Sequence, residues 1–195
     1  MTGIYSRLIR IPLILCCLYT STALAQEQNW ALTLYQAVLT DDPIEDVLLG
    51  QADYDSNFQL TALALSKTIP VDDTRYDLEW ELQAIKHTRG QDHEEFNALL
   101  AARWYPLPWD GYLNTDVAVG FGLSYATELP EFEVANKDDA EELLAYILVE
   151  FEFKPQSWES WSLVVRSHHR SGVFGLFNGV EGASNSLGLG MKYRF

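Results

Sequence analysis

The sequence predicts an all-β protein, an eight-stranded antiparallel transmembrane β-barrel, and three observations lead there. Apolar and polar residues alternate along most of the chain after residue 25, which is the period of strands with two unlike faces. Mean hydropathy is near neutral at -0.09, and no run outside the N-terminus is apolar for long enough to cross a membrane as a helix. A barrel's alternating strands average to the same neutrality. Compact turns also alternate with mostly longer, more polar loops, so one rim would carry short turns and the other long loops.

The elements follow in order. The first two strands, near Trp30 to Thr40 and Asn57 to Ser66, are the least cleanly patterned. In the third, Tyr76, Leu78, Trp80 and Leu82 oppose Asp77, Glu79, Glu81 and Gln83. In the fourth, Phe96, Ala98, Leu100, Ala102 and Trp104 oppose Asn97 and Arg103. In the fifth, Val117, Val119, Phe121, Leu123 and Tyr125 alternate with Asp116, Ala118, Gly120, Gly122 and Ser124. The sixth sets Leu143, Ala145, Ile147, Val149, Phe151 and Phe153 against a face with Glu150 and Glu152. The seventh sets Trp161, Leu163 and Val165 against Ser162, Val164 and Arg166. The eighth is the clearest: Leu187, Leu189, Met191, Tyr193 and Phe195 alternate with Ser186, Gly188, Gly190, Lys192 and Arg194. The segments Asp41–Ser56, Thr88–Glu95, Thr127–Glu142 and Gly172–Ala183 read as the long loops. With an even strand number and a periplasmic N-terminus, these loops face outside.

Composition bounds the rest. The chain has 195 residues, 48% of them hydrophobic and 13% aromatic, enough for one folded domain and too apolar for a disordered one. Its 28 Asp+Glu against 13 Lys+Arg, a net charge of -15, argue against a nucleic-acid partner. Residues 1–25 read as a signal peptide. Arg7 and Arg10 precede an apolar stretch from Ile11 to Leu18, and Ala23 and Ala25 give the small-residue cleavage pattern. Residues 26–195 then form the barrel. Cys16 and Cys17 both fall in the signal segment, so the exported chain has no thiol nucleophile and no disulfide.

Which face meets the surroundings decides between two barrels. In a soluble ligand-binding barrel the apolar face points inward. Three features favour the inverse. Trp and Tyr gather at strand ends (Trp104, Tyr105, Trp109, Tyr112, Trp158, Trp161, Tyr193), as interfacial girdles require. The polar faces carry both signs of charge, which can pair inside a narrow, side-chain-filled lumen. The chain ends on aromatic Phe195, as outer-membrane barrels commonly do.

One constellation has chemistry. The seventh strand continues as Arg166-Ser167-His168-His169-Arg170-Ser171-Gly172, and Glu181 follows in the last loop. His169 and Ser171 are two apart and share a face, the lipid side by strand parity, whereas His168 and Arg170 point to the lumen. A Ser beside a His can act as a nucleophile, with a carboxylate orienting the imidazole. Spacing alone leaves open that Ser171 and His169 are ordinary rim residues. Asp92, His93, Glu94 and Glu95, with His87 nearby, read as a solvated outer loop rather than a metal site, and so do Asp138, Asp139, Glu141 and Glu142. The apolar run from Val173 to Phe177 either dips into the outer leaflet or packs over the barrel mouth.

The His-X-Ser element, the Glu that follows it and the terminal Gly-Leu-Gly-Met-Lys-Tyr-Arg-Phe resemble the PagL family of lipid A 3-O-deacylases over about the last thirty residues. The resemblance implies an eight-stranded outer-membrane barrel that hydrolyses the 3-O-linked acyl ester of lipid A without metal or cofactor. It makes His169 the base, Ser171 the nucleophile and Glu181 the acid. The family commonly has Asn after the nucleophile as an oxyanion donor. Gly172 stands there instead, leaving Asn178, Asn185 or a backbone N–H at Gly172 as candidates for that contact. The partners implied are lipopolysaccharide and the outer membrane. The alternative is a non-catalytic outer-membrane barrel that is structural or binds lipopolysaccharide.

Overall fold

The computed structural model describes residues 28–72, 75–137, 139–180, 182 and 184–195; the expected signal peptide lies outside them. The strands are β1 (Trp30–Thr40), β2 (Asp55–Ile69), β3 (Tyr76–Arg89), β4 (Glu94–Trp104), β5 (Asn114–Ala126), β6 (Leu143–Lys154), β7 (Trp161–Ser171) and β8 (Asn185–Arg194). Each pairs antiparallel with its sequence neighbour, and β8 returns to β1 in register from Ala31↔Arg194 to Thr40↔Asn185. Closure leaves no sheet edge unpaired, the condition for a sheet in hydrocarbon.

The apolar face is outside. Leu163, Phe151 and Leu189 are 46%, 40% and 69% exposed, whereas Arg166, Glu150 and Lys192 are 0% exposed. That arrangement is costly in water and favourable in a bilayer, so the soluble-barrel alternative does not hold. All six Trp lie towards the rim with the short turns, where Trp30 packs edge-on against Trp80 at 5.3 Å and Trp161 lies tilted against Tyr193 at 4.8 Å. Amphipathic rings collect at such a boundary because one end is apolar and the other wet.

The lumen is packed with side chains. In the half nearer the Trp rim, Glu79, Glu81, Glu150 and Glu152 meet an equal number of cations, Arg103, Arg166, Lys192 and Arg194. Arg103 reaches Glu79, Glu150 and Glu152 at 3.0, 2.6 and 2.9 Å. Arg166 reaches Glu81 and Glu150, each at 2.7 Å, and Arg194 reaches Glu152 at 2.6 Å. Lys192 bridges Glu150 and Glu152. Above this cluster sits Tyr35, for which Gly190 makes room. A Cβ on Gly190 would lie 2.5 Å from that of Tyr35.

Two expectations need correction. The chain after residue 25 is not strands alone, because the long loops hold short helices α1 (Ile44–Leu49) and α2 (Glu131–Asn136). Each is too short to show a 3.6-residue period, and each buries only one or two residues, Val47 in α1 and Phe132 and Glu133 in α2. The expected loop Thr88–Glu95 is a tight turn at Gly90–His93, because β3 and β4 pair up to Lys86↔Glu94. It is not a solvated segment either. Asp92 and Glu94 are exposed and bind Lys86 at 2.6 and 2.8 Å, but His87, His93 and Glu95 are buried in the lumen mouth. No metal-holding group forms among the described residues.

Candidate functional site

The site lies where β7 and β8 reach the long-loop rim. Parity along β7 holds to its end: His168 and Arg170 are buried in the lumen, and His169 and Ser171 are half-buried on the outer face. Asn185, the first residue of β8, stands directly opposite His169 in the ladder. Directly paired residues on one face have Cβ atoms about 4.5–5.5 Å apart. Asn185 uses that proximity, and its Oδ1 lies 2.7 Å from His169 Nδ1. Its Nδ2 donates to the Asp42 carbonyl at 2.8 Å. Asn185 is buried despite its outward parity, because α1 and the loop carrying it lie beside β7 and β8.

Ser171 closes β7, and its Oγ accepts the Val173 N–H at 3.1 Å. This small turn leaves the hydroxyl proton free to be donated elsewhere. Among the described residues no hydrogen bond joins Ser171 to His169. The chain then enters a compact knot. Phe177 N–H donates to Gly172 O at 3.2 Å, Gly175 N–H donates to Val180 O at 3.0 Å, and Val180 packs with Leu144 and Phe177. Val173 and Phe174 have φ of 50° and 53°, a left-handed conformation that a β-branched residue rarely adopts. The knot throws Phe174 and Leu176 outward, 98% and 77% exposed.

The other expected site residues fall as follows. Glu181 lies outside the described residues. At Gly172 an added Cβ would sit 1.8 Å from Val180 O, so the knot as folded has no room for Asn after the nucleophile. Asn178 occupies a turn at φ 49°, and no hydrogen bond among the described residues brings it to Ser171 or His169. Asn185 gives one amide hydrogen to the Asp42 carbonyl and faces its carbonyl oxygen to His169. Extending β8's outward parity back from Leu187 puts Asn185 on the same face as His169, but the register that sets the two opposite each other comes from the strand pairing. The part played by Asp42 had no sequence signal.

Beneath the site the lumen mouth holds a second polar system. Glu95 binds His168 at 3.0 Å, His87 at 3.4 Å and Ser124 at 2.8 Å. Gln91 joins His87 Nδ1 at 2.7 Å and accepts the Phe132 N–H of α2 at 3.0 Å. Glu133 accepts from Ser184 at 2.7 Å, and Arg170 donates to the carbonyls of Glu141 and Glu142. The loop between β5 and β6 is thereby fastened over the mouth. Burial raises the Glu133 carboxyl above the usual range. Burial, and after it the neighbouring His87, push His93 down to about 4.

No family model matches the chain, and no curated protein matches it. Among solved structures, the outer-membrane enzyme PagL is similar at TM-score 0.55 and 15% identity, over 85% of this chain and 99% of its own. The fold is that of an outer-membrane barrel. OprG from Pseudomonas aeruginosa matches 86% of this chain and 95% of its own, at 10% identity and TM-score 0.40. Ail of Yersinia pestis, solved with the heparin analogue sucrose octasulfate, matches 86% and 97%, at 8% identity and TM-score 0.38. At 15% identity the likeness to PagL is one of architecture, and a fold alone does not fix a function.

Proposed function

We propose that the protein is an outer-membrane serine esterase that removes the 3-O-linked acyl chain of lipid A, after export by the signal peptide at residues 1–25. The observation that carries this reading is the pairing of His169 with Asn185 on the outward face, two residues from Ser171 at the long-loop rim. Polar groups turned towards lipid are costly without a task, and at the rim a lipid ester comes within reach of them. Ser171 Oγ attacks the acyl carbonyl while His169 Nε2 takes the hydroxyl proton. The bond to the sugar oxygen breaks, and His169 returns the proton to that oxygen. Water then cleaves the acyl-enzyme by the same relay. With no Asn side chain after the nucleophile, the oxyanion falls to backbone N–H groups near Gly172. One donor of this kind is worth about 2.7–4 kcal/mol. Phe174 and Leu176 supply an apolar brim for acyl chains.

The test is to express the chain in a Gram-negative host and weigh extracted lipid A. The expected result is loss of one 3-O-acyl chain, abolished by Ser171→Ala and by His169→Asn with the barrel still folded. Unchanged lipid A from the wild type rejects the activity, and a shortened product from either variant rejects the assignment. One observation favours the second reading, a non-catalytic barrel binding lipopolysaccharide: Ser171 Oγ is engaged by Val173 rather than by His169. Catalytic hydrogen bonds commonly tighten only when substrate arrives, which keeps the esterase ahead.

A further inference from the structure

We propose that Asn185 is the residue that orients His169, so that the relay is Ser-His-Asn with an amide in the place usually held by a carboxylate. The inference rests on the esterase reading for its catalytic meaning, but the hydrogen-bond logic stands by itself. A backbone carbonyl can only accept. The Asp42 carbonyl lies 2.8 Å from one end of the Asn185 amide, so that end is the NH2. The other end is then the carbonyl oxygen, and it faces His169 Nδ1 at 2.7 Å. An acceptor at that distance fixes the proton on Nδ1 and leaves Nε2 bare. Nε2 is the nitrogen a base needs for the Ser171 proton. The Asp42 carbonyl thus selects the imidazole tautomer through Asn185.

The surroundings make this support rigid. Asn185 is 4% exposed and sits in the β7–β8 ladder opposite His169. Asp42 is itself pinned, its N–H to Thr40 Oγ1 at 3.1 Å and its carboxylate to the Asp53 N–H at 2.6 Å. Among the described residues, the charged or titratable groups that act on the His169 ring are His168 on β7 and Glu45 on α1, and neither is hydrogen-bonded to it. An amide fixes ring orientation as a carboxylate would, but it does not neutralise the imidazolium formed in the transition state. The wild type therefore has a geometrically sound and electrostatically weak relay. Asn185 is a positioning residue, since it touches no reacting atom.

The experiment compares Asn185→Ala, Asn185→Asp and Glu181→Gln in the full-length protein, refolded in detergent and shown by heat-dependent gel mobility to be closed barrels. Asn185→Ala is expected to lower kcat by about tenfold or more with KM within about twofold. Asn185→Asp keeps an acceptor on Nδ1 but loses the donor to Asp42. It is expected to retain or exceed wild-type kcat and to move the acid limb of the pH–rate profile upward. A loop-tethering role alone would make both variants equally poor, and that outcome overturns the proposal. So does a loss in Glu181→Gln larger than that in Asn185→Ala. Nitrogen-15 NMR of the His169 ring separates this proposal from the activity. An Nδ1-protonated tautomer in the wild type, mixed in Asn185→Ala, is expected even if lipid A is never cleaved, and a wild-type Nε2-protonated ring refutes the pairing.

Discussion

The two halves of the lumen are built on different principles. Towards the Trp rim, four carboxylates and four cations (Glu79, Glu81, Glu150, Glu152 against Arg103, Arg166, Lys192, Arg194) form one closed set of ion pairs. Towards the long loops, the residues are mostly His, Gln, Tyr and Ser around Glu95, bonded in a chain that ends on a loop helix. Buried atoms with no hydrogen-bond partner among the described residues occur in both halves, such as Arg166 Nη1 in the first and His93 Nε2 in the second. The lower half is a plug. The upper half ties the loops to the barrel and backs the strand that carries His169 and Ser171. Stability and site geometry are thus assigned to different ends, and substitutions should separate them.

The largest effect is expected at Glu150, which holds Arg103, Arg166 and Lys192 together. Glu150→Ala leaves buried cations underpaired and should cost on the order of 3–5 kcal/mol. Urea unfolding from detergent micelles, followed by tryptophan fluorescence, reads it directly. Deacylation per folded barrel should hardly change. An equal fall in activity per folded molecule would mean that the halves are coupled rather than separate.

Gln91→Ala comes next. It removes the link between His87 and the Phe132 N–H of α2, at about 1–3 kcal/mol for buried groups left unpaired. The loss should appear as faster hydrogen exchange in α2 and the loop around it, with the unfolding midpoint of the strands shifted less. Uniform acceleration through all strands would contradict a separately fastened cap.

Acidification should act on the same end. His93 is held at about 4 against an ordinary 6.5. Between these values the unfolded chain takes up a proton that the folded one refuses. The stability is therefore complete above 6.5 and is lost as pH falls towards 4, by roughly 2 kcal/mol where the turn borders solvent. Glu133 has the opposite sign. Its raised value favours the protonated fold, so it returns stability as pH falls through its folded value. His93→Gln should flatten the loss between pH 7 and 5 in the proteolysis rate of the outer loops. A slope that survives the substitution assigns the effect to another group.

How far the sequence foresaw this contrast follows from what each half is made of. The plug was legible because ion pairs in alternating strands need only parity. Glu150, Arg166 and Lys192 could be set facing inward without knowing the register. The barrel and the outward placement of His169 and Ser171 follow from the same period of two. The upper half was not legible. His87, His93 and Glu95 looked like a charged loop because pairing of β3 and β4 beyond Gln83 and Phe96 leaves little apolar alternation to see. The contact of Asn185 with the Asp42 carbonyl, 143 positions away, was equally hidden, because backbone acceptors have no signature in side chains. Gly172 looked like a missing donor, whereas the space taken by Val180 O explains it sterically.

The smallest effect on stability, and the one that isolates function, is expected at the brim. Phe174 is 98% exposed and Leu176 77% exposed, so replacing both with Ser removes almost no buried area and should shift unfolding by no more than about 0.5 kcal/mol. If the knot dips into the outer leaflet, the double variant should lose activity on lipid A in vesicles through a higher KM, while hydrolysis of a short-chain soluble ester at Ser171 is kept. Loss on both substrates would instead show that the strained turn at Val173 and Phe174, rather than lipid contact, sets the geometry of the nucleophile. The two substrates thus separate an acyl-chain contact from a backbone support at residues adjoining Ser171.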